Sequence, residues 1–144
     1  MTDDGLVDLV AAARAALTHA YAPYSGFRVG AAVRGASGAV YAGCNVENAS
    51  YPVSMCAERG AIAAAIVAGE TVLEAVAVVT AQGDPCAPCG MCRQALSEFG
   101  PDMEVLLAAD DGRVVRSRLA ALLPDAFGPA MLAQPQGRPN GGGR

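Results

Sequence analysis

With 144 residues, 53% of them apolar and 17% charged, the chain suits one ordinary domain with a buried core and does not read as a disordered segment. Its formal net charge is −4 and it has no lysine, which excludes the basic stripe that grips a nucleic-acid backbone and favours a small substrate of low charge. The start Met1-Thr2-Asp3-Asp4 is acidic where a signal peptide is basic, and the apolar run over 61–68 falls far short of the roughly 20 residues of a spanning helix, so a cytoplasmic location with no membrane role is expected.

Leu6, Leu9, Val10, Ala13 and Leu17 recur at helical spacing and predict an amphipathic helix over residues 3–20. Pro23, Ser25 and Gly26 mark a turn. The short apolar runs 27–34 and 39–43, separated by Gly35 and Gly38, read as a β-hairpin. Residues 44–55 form a polar stretch without period, the kind of long loop that usually carries function. Pro52 and Ser54 announce a helix over 56–68, stopped by Gly69. A buried strand is expected at 76–80 and, after Pro85 and Pro88, a helix over 89–99 closed by Gly100 and Pro101. Strands at 104–109 and 114–117 and a short helix at 118–123 complete the pattern. Strands alternating with helices after a hairpin imply an α/β fold: a three-layer α/β/α sandwich around one mixed sheet. A single domain is expected over 1–133, with a disordered Pro/Gly-rich tail over 134–144.

The five cysteines, Cys44, Cys56, Cys86, Cys89 and Cys92, are an odd set that argues against a simple disulfide framework. Cys56 opens one predicted helix and Cys89 another. Helix starts carry partial positive charge and unpaired N–H groups, which favour thiolate, the form that binds metal. Cys89 and Cys92, three residues apart, share a face of the first turn. With Cys56 they make three ligands for one Zn²⁺ per chain, leaving a fourth, open position of the catalytic kind. Glu58 lies two residues after Cys56, a spacing of roughly 200° around a helix, so it reaches the same ion's surroundings only off the helix end and is not itself a ligand. Three thiolates on Zn²⁺ sum to −1, a poor Lewis acid; Arg59 is placed to draw charge from the sulfurs. The alternative, a structural four-cysteine knot, would recruit Cys86. That residue reads instead as a bystander, Cys44 as a small buried hydrophobe and His19 as a solvated helix-end residue.

Four blocks then make the sequence resemble the small homotetrameric zinc-dependent cytidine deaminases: Tyr24-Ser25-Gly26-Phe27-Arg28-Val29-Gly30-Ala31, Gly43-Cys44-Asn45-Val46-Glu47-Asn48-Ala49-Ser50-Tyr51, Cys56-Ala57-Glu58-Arg59 and Pro88-Cys89-Gly90-Met91-Cys92-Arg93-Gln94. The resemblance implies hydrolytic deamination of cytidine and deoxycytidine in pyrimidine salvage, with water activated at the metal attacking C4 and Glu58 shuttling protons. It implies that Asn45 and Glu47 bind the ribose, that Phe27 packs on the pyrimidine, and that backbone groups near Ala57 and Cys89 read the base edge. It further implies that Ala49, Tyr51 and the C-terminal Phe127 complete sites in neighbouring subunits of a homotetramer. Gly60, after the Cys-Ala-Glu-Arg run, departs from the pattern expected of such a chain. Two rivals remain at this stage. One is a sister deaminase acting on another aminopyrimidine or on single-stranded nucleic acid; the other is a zinc-stabilised interaction module with no use for Glu58.

Overall fold

The computed structural model describes residues 3–132; the expected tail over 134–144 lies outside them. Helix α1 (Asp3–Leu17) leads to strands β1 (Val29–Gly35) and β2 (Val40–Cys44). Helix α2 (Ala57–Val67), strand β3 (Leu73–Thr80), helix α3 (Gly90–Ser97), strands β4 (Glu104–Ala109) and β5 (Val114–Arg118) and the short helix α4 (Leu119–Leu122) follow. The five strands form one sheet in the order β2-β1-β3-β4-β5. The β3–β4 pair is parallel and the others are antiparallel, so the sheet is mixed.

Alternation along the strands explains the layers. Ala32, Ala75, Ala77, Val79, Leu106 and Ala108 face α1, whose Leu6, Leu9, Ala13 and Leu17 close that core. Ala31, Val33, Val76, Val78, Val105 and Leu107 face the other way, onto Ala57, Ala61, Ile62 and Ala65 of α2 and Leu96 of α3. Small alanines on both sides let the helices lie close to the sheet. Gly43 lies close against α2: a Cβ there would stand 2.6 Å from the carbonyl oxygen of Ala57.

The elements agree with the expected order, and their ends differ for identifiable reasons. Helix α1 stops at Leu17 rather than at 20 because the Arg28 guanidinium donates to the carbonyls of Leu17 and Thr18, 3.1 and 2.6 Å away, and caps the helix. Strand β1 begins at Val29 rather than 27 because the Asn45 side chain takes the place of a ladder partner. Its Oδ1 accepts from the Val29 N–H at 2.9 Å and its Nδ2 donates to the Phe27 carbonyl at 2.7 Å. Strand β3 begins three residues early, since Leu73 and Ala75 continue its buried faces while Glu74 points outward. Cys44 is half-buried, not buried as expected, because it ends the edge strand β2. His19 is exposed past the end of α1.

Candidate active site

Helices α2 and α3 both begin beyond the C-terminal end of β3, on the same face of the sheet. Cys56 and Cys89 are their N-cap residues, with extended backbone (φ −72° and −63°), and neither side chain caps its own helix. Both sulfurs are therefore free to point into the space between the helix ends. Cys92, one turn into α3 and fully buried, points the same way. The three sulfurs lie within 4.8 Å of one another, and Cys56 Sγ is 4.0 Å from Cys89 Sγ. A tetrahedral zinc with bonds of about 2.3 Å needs sulfurs about 3.8 Å apart, so the donor set and its size fit that ion. Among the described residues this is the one cluster of three metal-binding side chains.

The electrostatics of the cluster favour thiolate at Cys56. The Cys56 thiol is pulled down to about 5, first by a hydrogen bond from Cys92 and then by the Arg59 guanidinium and Cys89, against the opposing effect of burial. Cys92 is pushed up by that same bond to Cys56, by its burial and by the nearby Glu58. Arg59 Nη2 lies 3.9 Å from Cys56 Sγ and 3.3 Å from the Ser54 carbonyl. Contact with the sulfur holds the guanidinium charged. Its Nε is buried and has no hydrogen-bond partner among the described residues.

Glu58, only 4% exposed, is the one buried carboxylate among the described residues. Burial holds its carboxyl above the ordinary carboxylate value, with the Cys56 charge adding to the effect and contact with Cys92 opposing it. A carboxyl of this kind is suited to both taking and giving a proton. It lines a cleft together with Cys56, Ala57, Cys89, Phe27 and Asn45. Phe27, 41% exposed, presents a flat apolar ring to the cleft, whose far wall is Val78, Thr80 and Pro88.

Four of the candidate substrate contacts lie outside this cleft. Glu47 borders a neighbouring hollow with Tyr24, Ser25, Tyr51 and Ser54. Its Oε1 accepts from the Tyr24 and Ser25 N–H groups, both at 3.0 Å, and its Oε2 accepts from the Ser25 hydroxyl at 2.5 Å. The Ser25 Oγ in turn accepts from the Phe27 N–H at 3.0 Å. Glu47 thus fixes the turn that carries Phe27. Tyr51, 70% exposed, meets Tyr24 edge-on with ring centroids 5.9 Å apart. Ala49 is exposed on the same loop. Phe127, 56% exposed, sits in a separate hollow beside α3, its carbonyl held by Gln94 Nε2 at 2.9 Å. Cys86 is outside the sulfur cluster but lines the cleft, its thiol 3.2 Å from the Asp84 carbonyl. Sequence reasoning missed Ser25 as the anchor of Glu47; the signal available was a hydroxyl residue directly before a turn glycine.

Comparison with known proteins agrees with this geometry. The family model for the cytidine and deoxycytidylate deaminase zinc-binding region matches residues 6–108. The chain is 42% identical over 120 residues to the cytidine deaminase of Sporosarcina psychrophila, covering 83% of this chain and 88% of the relative. It is 48% identical over 109 residues to that of Mycobacterium tuberculosis H37Rv, covering 76% and 79%. The crystal structure of the Burkholderia pseudomallei cytidine deaminase superposes with a TM-score of 0.81 at 48% identity, over 88% of this chain and 100% of that one.

Proposed function

The chain belongs to the cytidine deaminase family, and from that membership we propose how its residues convert cytidine to uridine and ammonia by adding water. The observation that carries the reading is a buried carboxyl, Glu58, beside three sulfurs of zinc-fitting separation at the foot of a cleft that also holds an aromatic ring. Cys56, Cys89 and Cys92 hold one zinc ion. Bound there, zinc supplies the Lewis acidity that brings the pKa of water toward neutrality. Arg59, against Cys56, offsets part of the negative charge of three thiolates.

Glu58 accepts the proton of the attacking water and delivers it to N3 of the ring as oxygen adds at C4. It then carries a proton to the exocyclic amine, and ammonia leaves. One carboxyl serves every transfer because the transfers are sequential. Phe27 packs on the pyrimidine face, and backbone groups at Ala57 and Cys89 read the base edge. Asn45 and Glu47 bind the ribose, with deoxycytidine accepted as well as cytidine. Ala49, Tyr51 and Phe127 act in the sites of neighbouring copies within a homotetramer. A role in pyrimidine salvage in the cytoplasm, with nucleosides and not polynucleotides as substrates, completes the proposal.

The test is a substrate panel. Loss of ultraviolet absorbance is followed with cytidine, deoxycytidine, CMP, cytosine and a cytosine-containing oligonucleotide. Turnover confined to the two nucleosides is the expected result. Turnover of the oligonucleotide or of cytosine alone would overturn the assignment of Asn45 and Glu47 to the sugar.

A further inference from the structure

Arg93 stands in the first turn of α3, which contains no acidic residue. A cation is disfavoured at the positive end of a helix, so its presence asks for compensation. Its partners are two backbone carbonyls: Nε donates to Pro88 O at 2.7 Å and Nη1 donates to Leu122 O at 2.8 Å. Both are charge-assisted bonds from one rigid fork, which fixes the two carbonyls relative to each other.

The Pro88 carbonyl belongs to the peptide plane that enters Cys89. The plane that leaves Cys89 is held from the same residue, since the Arg93 N–H donates to Cys89 O at 2.9 Å. Cys89 is the exposed member of the sulfur cluster, where Cys92 is buried and Cys56 half-buried. Burial secures Cys92 and the Arg59 contact holds Cys56; Cys89 depends on its backbone. The other prong of Arg93 reaches the end of α4, where the C-terminal segment bearing Phe127 begins. The next residue, Gln94, holds the Phe127 carbonyl.

We propose that Arg93 is a positioning residue that locks Cys89 in its ligating orientation and ties the zinc site to the C-terminal arm. Gln94 secures only the arm. The arm's effect on KM rests on the function proposed above; the effect on metal retention does not.

Zinc transfer to a chromogenic chelator is measured for the full-length holoprotein and its variants, alongside the thiolate-to-metal charge-transfer band of the cobalt-substituted protein. Groups that orient metal ligands are worth roughly 10- to 100-fold in metal affinity. Arg93→Ala should release zinc faster by that order and change the cobalt band. Arg93→Lys, a donor without the fork, should fall between Arg93→Ala and the parent, and it carries the test if Arg93→Ala does not fold. Gln94→Ala should raise KM for cytidine and leave both zinc release and kcat unchanged. Arg118→Ala, which breaks an exposed pair with Asp102 at the end of β5, just before α4, serves as the control and should leave zinc release unchanged. Parental zinc release in the Arg93 variants, or equal acceleration in Arg118→Ala, would overturn the proposal. An unaltered cobalt band in Arg93→Lys would do the same. A Gln94→Ala protein with normal KM would remove the arm from it.

Discussion

Glu58 is the one buried carboxylate among the described residues, and it stands against the sulfurs of Cys56 and Cys92. Glu58→Gln preserves its shape and removes its titration. Zinc content should stay at one per chain while kcat falls by at least the roughly 10²–10⁴ typical of general acid–base catalysis. A variant within about tenfold of the parent would take Glu58 out of the chemistry. The sulfurs divide in the same way. Ala at Cys56, Cys89 or Cys92 should strip metal and activity together, whereas Cys86→Ser should keep its zinc by metal analysis, because its thiol lies outside the cluster. Glu47 offers a pH test. Its carboxyl is held below the ordinary 4.5 by the Ser25 hydroxyl, then the Ser25 and Tyr24 amides. A depressed folded-state value means that the contact contributes fully above the unfolded value and is lost as pH falls through the folded one. The Glu47 carboxyl resonance should therefore titrate below 4.5, and Ser25→Ala should move its midpoint up toward that value.

At the level of elements, the contact of β2 with α2 sets two glycines against each other. A Cβ at Gly43 would strike the Ala57 carbonyl oxygen at 2.6 Å, while a Cβ at Gly60 would meet only atoms at 3.7 Å or beyond, ordinary contacts. Gly43→Ala should destabilise by about 1–3 kcal/mol through overpacking. Gly60→Ala, in mid-helix, should stabilise by about 0.5–1 kcal/mol. Urea midpoints of the two variants should move in opposite directions. The odd glycine noted in the sequence is thus a tolerated one, and the demanding position is Gly43. The helix starts and the three-residue cysteine spacing were legible because they are local. The end of α1 and the start of β1 were not, because Arg28 and Asn45 set them from 11 and 16 residues away. The first residues of β3 were hidden by Glu74, which breaks the apolar run although only its side chain leaves the core. In the site, the grouping of Cys56, Cys89 and Cys92 and the place of Glu58 beside them were readable from residue type and spacing. The anchoring of Glu47 by Ser25 was not, since it joins two turns 22 residues apart.

For the whole molecule, the cleft of one chain is lined from its own β1, α2, β3 and the loop that leads into α3, while Tyr51, Ala49 and Phe127 stand exposed elsewhere. A shared-site assembly gives those side chains a use, and closed assemblies with two-fold symmetry are common among soluble oligomers. Light scattering should therefore report a homotetramer; an active monomer would force the whole pocket back into one chain. Phe127→Ala should raise KM and keep zinc. Mixing it with inactive Glu58→Ala chains should recover activity as subunits exchange, since each variant supplies what the other lacks. Hydrolysis of the cytidine amino group by this cleft with its zinc has a direct measurement: uridine and ammonia are quantified after incubating the zinc-loaded protein with cytidine. The expected result is the two products in equal amounts, formed catalytically and abolished when a chelator removes the metal. A protein carrying one zinc per chain that leaves cytidine unchanged would contradict it.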